Sequence, residues 1–287
     1  MNMRPATEEI LVQEELYDGH KRLLAKASAD PTIIGEVEVI HRSKKNGREV
    51  FTRTLRHNDL LVTGAVYLIE KMNGVRSRFL TTPIDVELGI HTINQIDREA
   101  TSIPNELVIG AMIGNGGAGD TYNTVRKVRR SDRMVPGAIP FRVVPLTADL
   151  TGTERNQYFM RRVRGEYVYY YAKKFDSAPV ITIAYEDGTI VPTNVGDLTD
   201  NNKFIRCYTT YRFTAGKNDV REYFKITQGS TMRSLINSAG LITGYQGTDA
   251  DSAEYYNVRG MTTLNMENQD LKDSESTVTF IYRLFVQ

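Results

Sequence analysis

The stretch ELVIGAMIGNGGAGDTYNT (106–124) has the spacing that comes closest to a chemical motif in this chain. Its glycine loop, GNGGAG, places Gly114, Gly116 and Gly119 in the G-x-G-x-x-G pattern of dinucleotide-binding sites, and nearly spells a P-loop. A P-loop needs lysine after its last glycine to reach the phosphates, but this chain has Asp120 there. The following DTYNTVRKVRR predicts no helix whose dipole would face a pyrophosphate. We therefore interpret GNGGAG as a structural loop and expect no cofactor.

Other side chains that could do chemistry are scattered along the chain. The four histidines have no HxxxH or HxH spacing, and Cys207 has no neighbour at zinc-ligand spacing. Asp85 and Glu87 would share one face of a strand as an acid–base or calcium pair, although a solvated surface is the simpler interpretation. A Cys207–histidine nucleophile stays open, but its mid-strand position favours a small packed residue. We predict neither a metal site nor an enzymatic activity.

A basic tract, residues 126–164, gives the stretch from Asp120 to Gly165 ten Lys or Arg against four Asp or Glu. Residues 247–275 are acidic, with seven Asp or Glu against two basic residues. Opposite patches on one chain favour head-to-tail contact between copies, which closes into a ring if the rotation allows it. The residues predicted at this subunit interface are Arg126, Lys127, Arg129, Arg130, Arg133, Arg161, Arg162, Arg164, Asp249, Asp251, Glu254, Asp270 and Asp273.

Two alternatives for the basic tract stay open. Its charges could pair within the chain, or they could form a nucleic-acid surface with Tyr158 and Phe159 as stacking partners. The overall net charge of +1 argues for neither nucleic acid nor a membrane as a partner. The N-terminus lacks an apolar signal core and no run of 18 apolar residues occurs, so we expect assembly in a cytoplasm.

Residue usage predicts a mainly β protein. The chain of 287 residues has 16 Tyr, 10 Phe, 22 Gly and no Trp, a mixture typical of pleated surfaces joined by turns. Asn46-Gly47 between alternating runs predicts a hairpin. Further strand candidates are 84–90, 107–113, 140–146, 166–172, 179–185, 204–213, 220–227 and 276–286. Strands without intervening helices predict antiparallel sheets, so we expect an antiparallel β-sandwich.

Two helices are predicted to accompany the strands. The first is an N-terminal helix from about Thr7 to Ala27. The second spans 58–73, with Asn58 as N-cap, an apolar stripe buried by the sheet, and Gly74 as its C-terminal left-handed residue. That stripe comprises Leu61, Ala65, Leu68 and Met72, with Val62, Val66 and Ile69 beside it. The predicted organisation is a helical arm (1–30), a core (31–174), an inserted or second β region (175–260) and a closing strand (261–287).

Three features, in this order, resemble a loose pattern of tailed-bacteriophage virion proteins. They are an N-L-x-x-x-G-type helix (NDLLVTGAVYLIEKM, 58–72), an I-G-x-G-type loop (IGNGG, 113–117) and a closing aromatic strand (KDSESTVTFIYRLFV, 272–286). The resemblance departs from that pattern at the N-terminal helix and in 175–260. It implies a β-rich structural subunit of a neck, tail, baseplate or fibre, and it carries over no catalytic residues.

We therefore expect a virion structural protein that forms a homo-oligomer, a ring, and joins adjacent layers of other virion proteins. One alternative is a nucleic-acid-binding module that uses the basic tract. A second is a carbohydrate-binding or glycan-cleaving virion protein that uses the tyrosines of EYVYYYA (166–172) and the Asp85–Glu87 pair. In a strand those tyrosines alternate between two faces, which favours packing in the core.

Overall fold

The computed structural model describes ten segments of the chain. They are residues 34–45, 48–74, 106–119, 124–128, 132, 134–185, 205–229, 233–246, 255–271 and 275–286. The predicted helical arm (1–30) and the predicted strand at 84–90 lie outside these segments. Within them no helix is long and apolar enough to cross a membrane.

The described chain is mainly β and antiparallel, as predicted. The strands are β1 (Ile34–Lys45), β2 (Arg48–Leu60), β3 (Leu107–Gly114), β4 (Ala138–Ile139), β5 (Arg142–Pro145), β6 (Tyr158–Arg164), β7 (Tyr167–Lys173), β8 (Val180–Tyr185), β9 (Ile205–Gly216), β10 (Leu235–Gln246), β11 (Tyr255–Gly260), β12 (Thr262–Asp270) and β13 (Thr277–Val286). The helices are α1 (Val62–Asn73), α2 (Gly152–Arg155) and α3 (Lys217–Gln228), with a 3₁₀ turn at Leu146–Ala148.

These strands join in one sheet that curls into a half-barrel. The strand order is β5-β7-β3-β10-β12-β2-β1-β13-β9-β8, with β11 paired to β10, β4 to β3 and β6 to β7. Of the strands in the region 175–260, β9 pairs with β13 and β10 pairs with β3 and β12, so this region is joined to the strands that precede and follow it. The predicted hairpin is confirmed, because β1 and β2 pair in unbroken register up to Lys45 and Arg48.

The inner face of the curled sheet carries the main core. Alternate residues of β1 and β13, such as Val37, Phe280 and Tyr282, are buried in one apolar cluster with Phe141 and Leu241 from the other half of the sheet. The tyrosine run alternates as predicted: Val168 and Tyr170 belong to this cluster, whereas Tyr169 and Tyr171 belong to a second one. Packing in the core thus accounts for the buried tyrosines of β7.

Helix α1 corrects the prediction for 58–73 in both its start and its buried face. Asn58 is not the N-cap, because it continues β2 opposite Gly35, and Leu61 precedes the first helical residue. Gly74 ends the helix with φ 66°, as predicted.

The buried face of α1 coincides only in part with the predicted apolar stripe, because Leu61 is buried and Leu68 packs against the main core but the C-terminal end of the stripe is exposed. Thr63, Gly64, Tyr67 and Glu70 are buried, whereas Met72 is 81% exposed. Small residues permit the close approach of the helix to the β11–β12 junction: a Cβ on Gly64 would lie 2.1 Å from the Met261 carbonyl oxygen. This close backbone approach explains why Gly64 and its neighbours are buried beside the predicted stripe.

Helix α3 replaces the strand predicted at 220–227. The Asp219 carboxylate accepts a hydrogen bond from the Gly216 amide (2.8 Å), which caps the first turn, and its negative charge suits the helix N-terminus. Val220 and Phe224, one turn apart, are the buried residues. The alternation in VREYFKIT was therefore misread as a strand.

Candidate subunit interface

Strand β8 is an open edge of the sheet. Among the described residues it pairs only with β9, in six consecutive antiparallel pairs from Val180–Thr210 to Tyr185–Ile205. The strand has the sequence VITIAY, without charge, proline or register shift. Val180 and Ile181 are 57% and 71% exposed. Regular, uncharged and apolar edges are the kind that add a further strand, because their outer N–H and C=O groups need partners.

The apolar inner face of the sheet continues out to this edge. Ile181 lies opposite Thr209 on β9, and Thr209 lies opposite Leu284 on β13. Cross-strand neighbours share a face, so Ile181 extends the row of the buried core residue Leu284. Ile183 and the exposed Cys207 form the next pair along the same face. On this face the apolar side chains of Ile181 and Ile183 lie at the edge, and Thr209 separates Ile181 from the core residue Leu284.

Strand β6 is an edge of the opposite kind. It pairs only with β7 in the part of the chain that the structure describes. Arg161, Arg162 and Arg164 lie on it, and Met160 has a positive φ of 56° that interrupts its regular geometry. Charged side chains and local irregularity are devices by which native sheets prevent strand addition. Of these two edge strands, β6 carries features that prevent strand addition, and the described residues of β8 do not.

The described residues of the basic tract are largely paired within the chain. Arg126 contacts the buried carboxylate of Asp132 at 2.9 Å. Arg142 contacts Glu154 at 2.8 Å. Lys127 is exposed, and Arg162 and Arg164 lie towards the exposed end of β6. Arg129, Arg130 and Arg133 lie outside the described residues.

Arg161 belongs to a small polar network with Asp149 and Tyr170. Its guanidinium contacts the Asp149 carboxylate at 2.7 Å, and the Tyr170 hydroxyl donates to the same carboxylate at 2.5 Å. Burial alone would raise the pKa of Asp149, but the hydrogen bonds from Tyr170 and Arg161 lower it overall. Burial and then the bond to Asp149 raise the pKa of Tyr170 to about 12. This network holds β6, β7 and the Asp149 loop together.

Of the predicted acidic residues, only Asp270 is described. It faces Arg233 at 3.9 Å. Asp249, Asp251, Glu254 and Asp273 lie outside the described residues, so the predicted contact between basic and acidic patches stays a prediction. Asp85 and Glu87 lie outside as well. Within the described residues no three of His, Cys, Asp and Glu form a group that could hold a metal ion.

The proposed stacking residues for nucleic acid are both buried. Tyr158 is 7% exposed and its hydroxyl donates to Asp219 at 2.7 Å, while Phe159 is 1% exposed. Burial, followed by the charge of Asp219, raises the pKa of Tyr158. Neither ring presents a face on which a base could stack.

The glycine loop is a packing element, and its amides are engaged within the protein. The Asn115 and Gly116 amides donate to the carbonyl oxygens of Gly137 and Pro136, and the Gly117 amide donates to Asn237 Oδ1 at 2.6 Å. A phosphate cradle needs such amides to be available for the ligand. The interpretation of GNGGAG as a structural loop is therefore supported by where its hydrogen bonds go.

A buried charge cluster joins α1 to the sheet. The Arg259 guanidinium donates to both oxygens of Glu106 (2.9 and 2.5 Å) and to Glu70 (2.7 Å). Burial alone would lower the pKa of Arg259, but Glu106 and then Glu70 raise it overall. Thr243 also donates to Glu106. Since all three charged side chains are less than a tenth exposed, the cluster locks helix to sheet and presents no charge to a substrate.

Residues 88–195 match a family described only as a family of unknown function (DUF7208). The match covers less than half of the chain and contains the glycine loop, the basic tract and the edge strands β6 and β8. No curated protein and no solved structure matches the chain. The description of this family names no activity.

Sequence reasoning predicted β8 as a strand but missed its position at an open edge. The available signal was a run of six uncharged residues with apolar side chains on both faces, between Pro179 and Glu186. A single sequence does not give the order of strands in a sheet, and that order is what makes β8 an edge.

Proposed function

We propose that this protein is a structural subunit of a tailed-phage virion, in the neck, tail or baseplate, and that it assembles with copies of itself. The observation that carries the proposal is the edge strand β8 of a large antiparallel sheet, which no described strand other than β9 covers. In a protein that functions as a monomer, edge strands usually carry features that prevent the addition of a further strand, such as the arginines of β6. In a subunit that assembles, an edge strand without such features can form the contact with a neighbouring copy.

The body of the subunit is sandwich-like in this proposal. Core residues from both halves of the curled sheet belong to one apolar cluster, which favours two packed layers joined by a shared strand path. The segment 1–30 acts as a helical arm that reaches a neighbouring chain, since its sequence is amphipathic. The subunit joins adjacent layers through this arm and through its sheet edge.

Arginine and tyrosine side chains that could bind a ligand already have contacts within the chain. This favours assembly over nucleic-acid binding and over carbohydrate binding or cleavage. Arg126, Arg142 and Arg161 already neutralise carboxylates of the same chain, which weakens a phosphate-binding surface. Tyr169, Tyr170 and Tyr171 are buried, so they offer no platform for a sugar ring.

Native mass spectrometry of the purified chain at moderate ionic strength tests self-assembly. We expect a discrete oligomer with no retained ligand mass, and a monomer at all concentrations would contradict the proposal. Reversal of charge at Arg129→Glu with Arg130→Glu is expected to disperse a head-to-tail ring, whereas the exposed control Lys225→Glu on α3 leaves it intact. An unchanged assembly mass in the double variant contradicts the contact between charged patches.

The virion assignment needs its own measurement. Mass spectrometry of purified phage particles, from a phage whose genome encodes this chain, is expected to detect the chain at a fixed ratio to the capsid proteins. Its absence from purified particles, with the chain abundant in the lysate, would contradict a structural role in the virion and leave self-assembly standing.

A further inference from the structure

We propose that β8 pairs antiparallel with β8 of a second copy of this chain, so that the two sheets become one across a two-fold axis. The inference rests on the proposed function and specifies the contact by which copies meet. It uses the open edge described above, where Val180 and Ile181 expose most of their side-chain surface. The occupant is a second copy because the strand is complementary to itself.

Charge favours β8 over β6 as the strand that pairs with its own copy. Self-pairing of β8 brings together only apolar and hydroxyl side chains, because residues 180–185 carry no charge. Self-pairing of β6 would bring the guanidinium groups of Arg162 and Arg164 close to those of the second copy, and like charges across a strand pair are destabilising. Pairing of β8 with β6 is disfavoured for a different reason, because β8 would have to follow the irregular backbone at Met160.

Symmetry limits the register of this pairing. A two-fold axis between antiparallel edge strands runs perpendicular to the sheet, so each residue pairs with one that points to the same face. An axis through Thr182 sets Ile181 opposite Ile183 of the second copy and Val180 opposite Ala184. Both pairs are apolar, and the first continues the core face across the junction. Cross-strand pairs of β-branched residues stabilise a sheet.

The variant Ile181→Lys tests the contact. Ile181 is exposed in the single chain, so a lysine there leaves the fold stable but places two ammonium groups at the junction. We expect the dissociation constant of the dimer, measured by sedimentation velocity over a concentration series, to rise by at least about tenfold. The control Phe51→Lys alters an equally exposed apolar residue (68%) on β2 and is expected to leave the dissociation constant unchanged.

Cross-linking tests the same contact without relying on weakened association. In a Cys207→Ala background, which removes the lone cysteine, Thr182→Cys places two thiols next to the axis. Facing residues of antiparallel strands lie within the span of a disulfide, so mild oxidation is expected to give a covalent dimer. The control Val163→Cys sits on the other edge, β6, is 43% exposed, and is expected to stay monomeric on a denaturing gel.

The outcomes separate this inference from the proposed function. An oligomer that keeps its mass and affinity in Ile181→Lys, with no cross-link at Thr182→Cys, overturns the β8 contact while self-assembly stands. A wild-type chain that remains monomeric overturns both. Loss of affinity in Ile181→Lys together with the Thr182→Cys cross-link supports both.

Discussion

At Gly117 the loop backbone passes so close to β10 that no side chain fits. A Cβ there would lie 2.1 Å from the Asn237 carbonyl oxygen, whereas a Cβ on Gly119 meets nothing nearer than 4.0 Å. We expect Gly117→Ala to lower the free energy of unfolding by about 1–3 kcal/mol through overpacking. Gly119→Ala, in the same GNGGAG sequence, is expected to be close to neutral. Urea denaturation of both variants measures the difference.

The two glycines also separate packing from ligand binding. A loop built to hold phosphate would lose affinity, not stability, on substitution of its last glycine. Equal stability of Gly117→Ala and the wild type would contradict the close approach at Asn237.

Asp149 gives the protein a predictable response to acid. Its pKa is lowered in the folded chain, so its contribution to stability is complete above its ordinary value and is lost as the pH falls through the folded value. We expect Asp149→Asn to unfold more readily than the wild type at neutral pH, and the difference to shrink below about pH 4. Thermal unfolding from pH 3 to 8 measures it. Glu154→Gln, which alters another carboxylate paired with arginine, serves as control, and a pH-independent difference for Asp149→Asn would contradict the network.

At the scale of the element, α1 is held by its less apolar face. Tyr67 is buried over the Arg259–Glu106 cluster, whereas Met72 is exposed. We expect Tyr67→Ala to cost about 3–5 kcal/mol of unfolding free energy. Met72→Ala is expected to change it by less than about 0.5 kcal/mol. Chemical denaturation of both variants checks the orientation, and a larger loss for Met72→Ala would mean that the helix buries the stripe that its sequence predicts.

The two helices show where sequence patterns stop being informative. The β1–β2 hairpin and β13 were predictable because Asn-Gly turns and alternating residues act locally. In α1 the buried residues are selected by partners far away in sequence, such as Met261, which lies against Gly64. In α3 the alternating apolar residues would also suit a strand, but the cap by Asp219 favours a helix. A tertiary contact therefore decides the buried face of α1, whereas a local cap accompanies the helical conformation of α3.

The candidate interface was predictable only as an accumulation of charge. A count of basic residues does not reveal that Arg126 and Arg161 have carboxylate partners. Those partners, Asp132 and Asp149, lie in the same tract, where a count of charges shows only that they reduce its net positive charge. The open edge at β8 depends on which strands pair, and that follows from the whole fold. The uncharged composition of VITIAY was visible in the sequence, but its consequence was not.

At the scale of the whole molecule, the two-fold contact through β8 restricts the number of copies. It joins chains in pairs, so a closed ring needs a second, head-to-tail contact, and an assembly with both has dihedral symmetry. We therefore expect native mass spectrometry to find only dimers and larger even multiples of the chain. In the Ile181→Lys variant the dihedral assembly is expected to separate into its two rings, each with half the number of chains, because only the β8 contact between the rings is lost. An odd number of chains as the sole assembled species would leave one β8 edge unpaired and would contradict this arrangement.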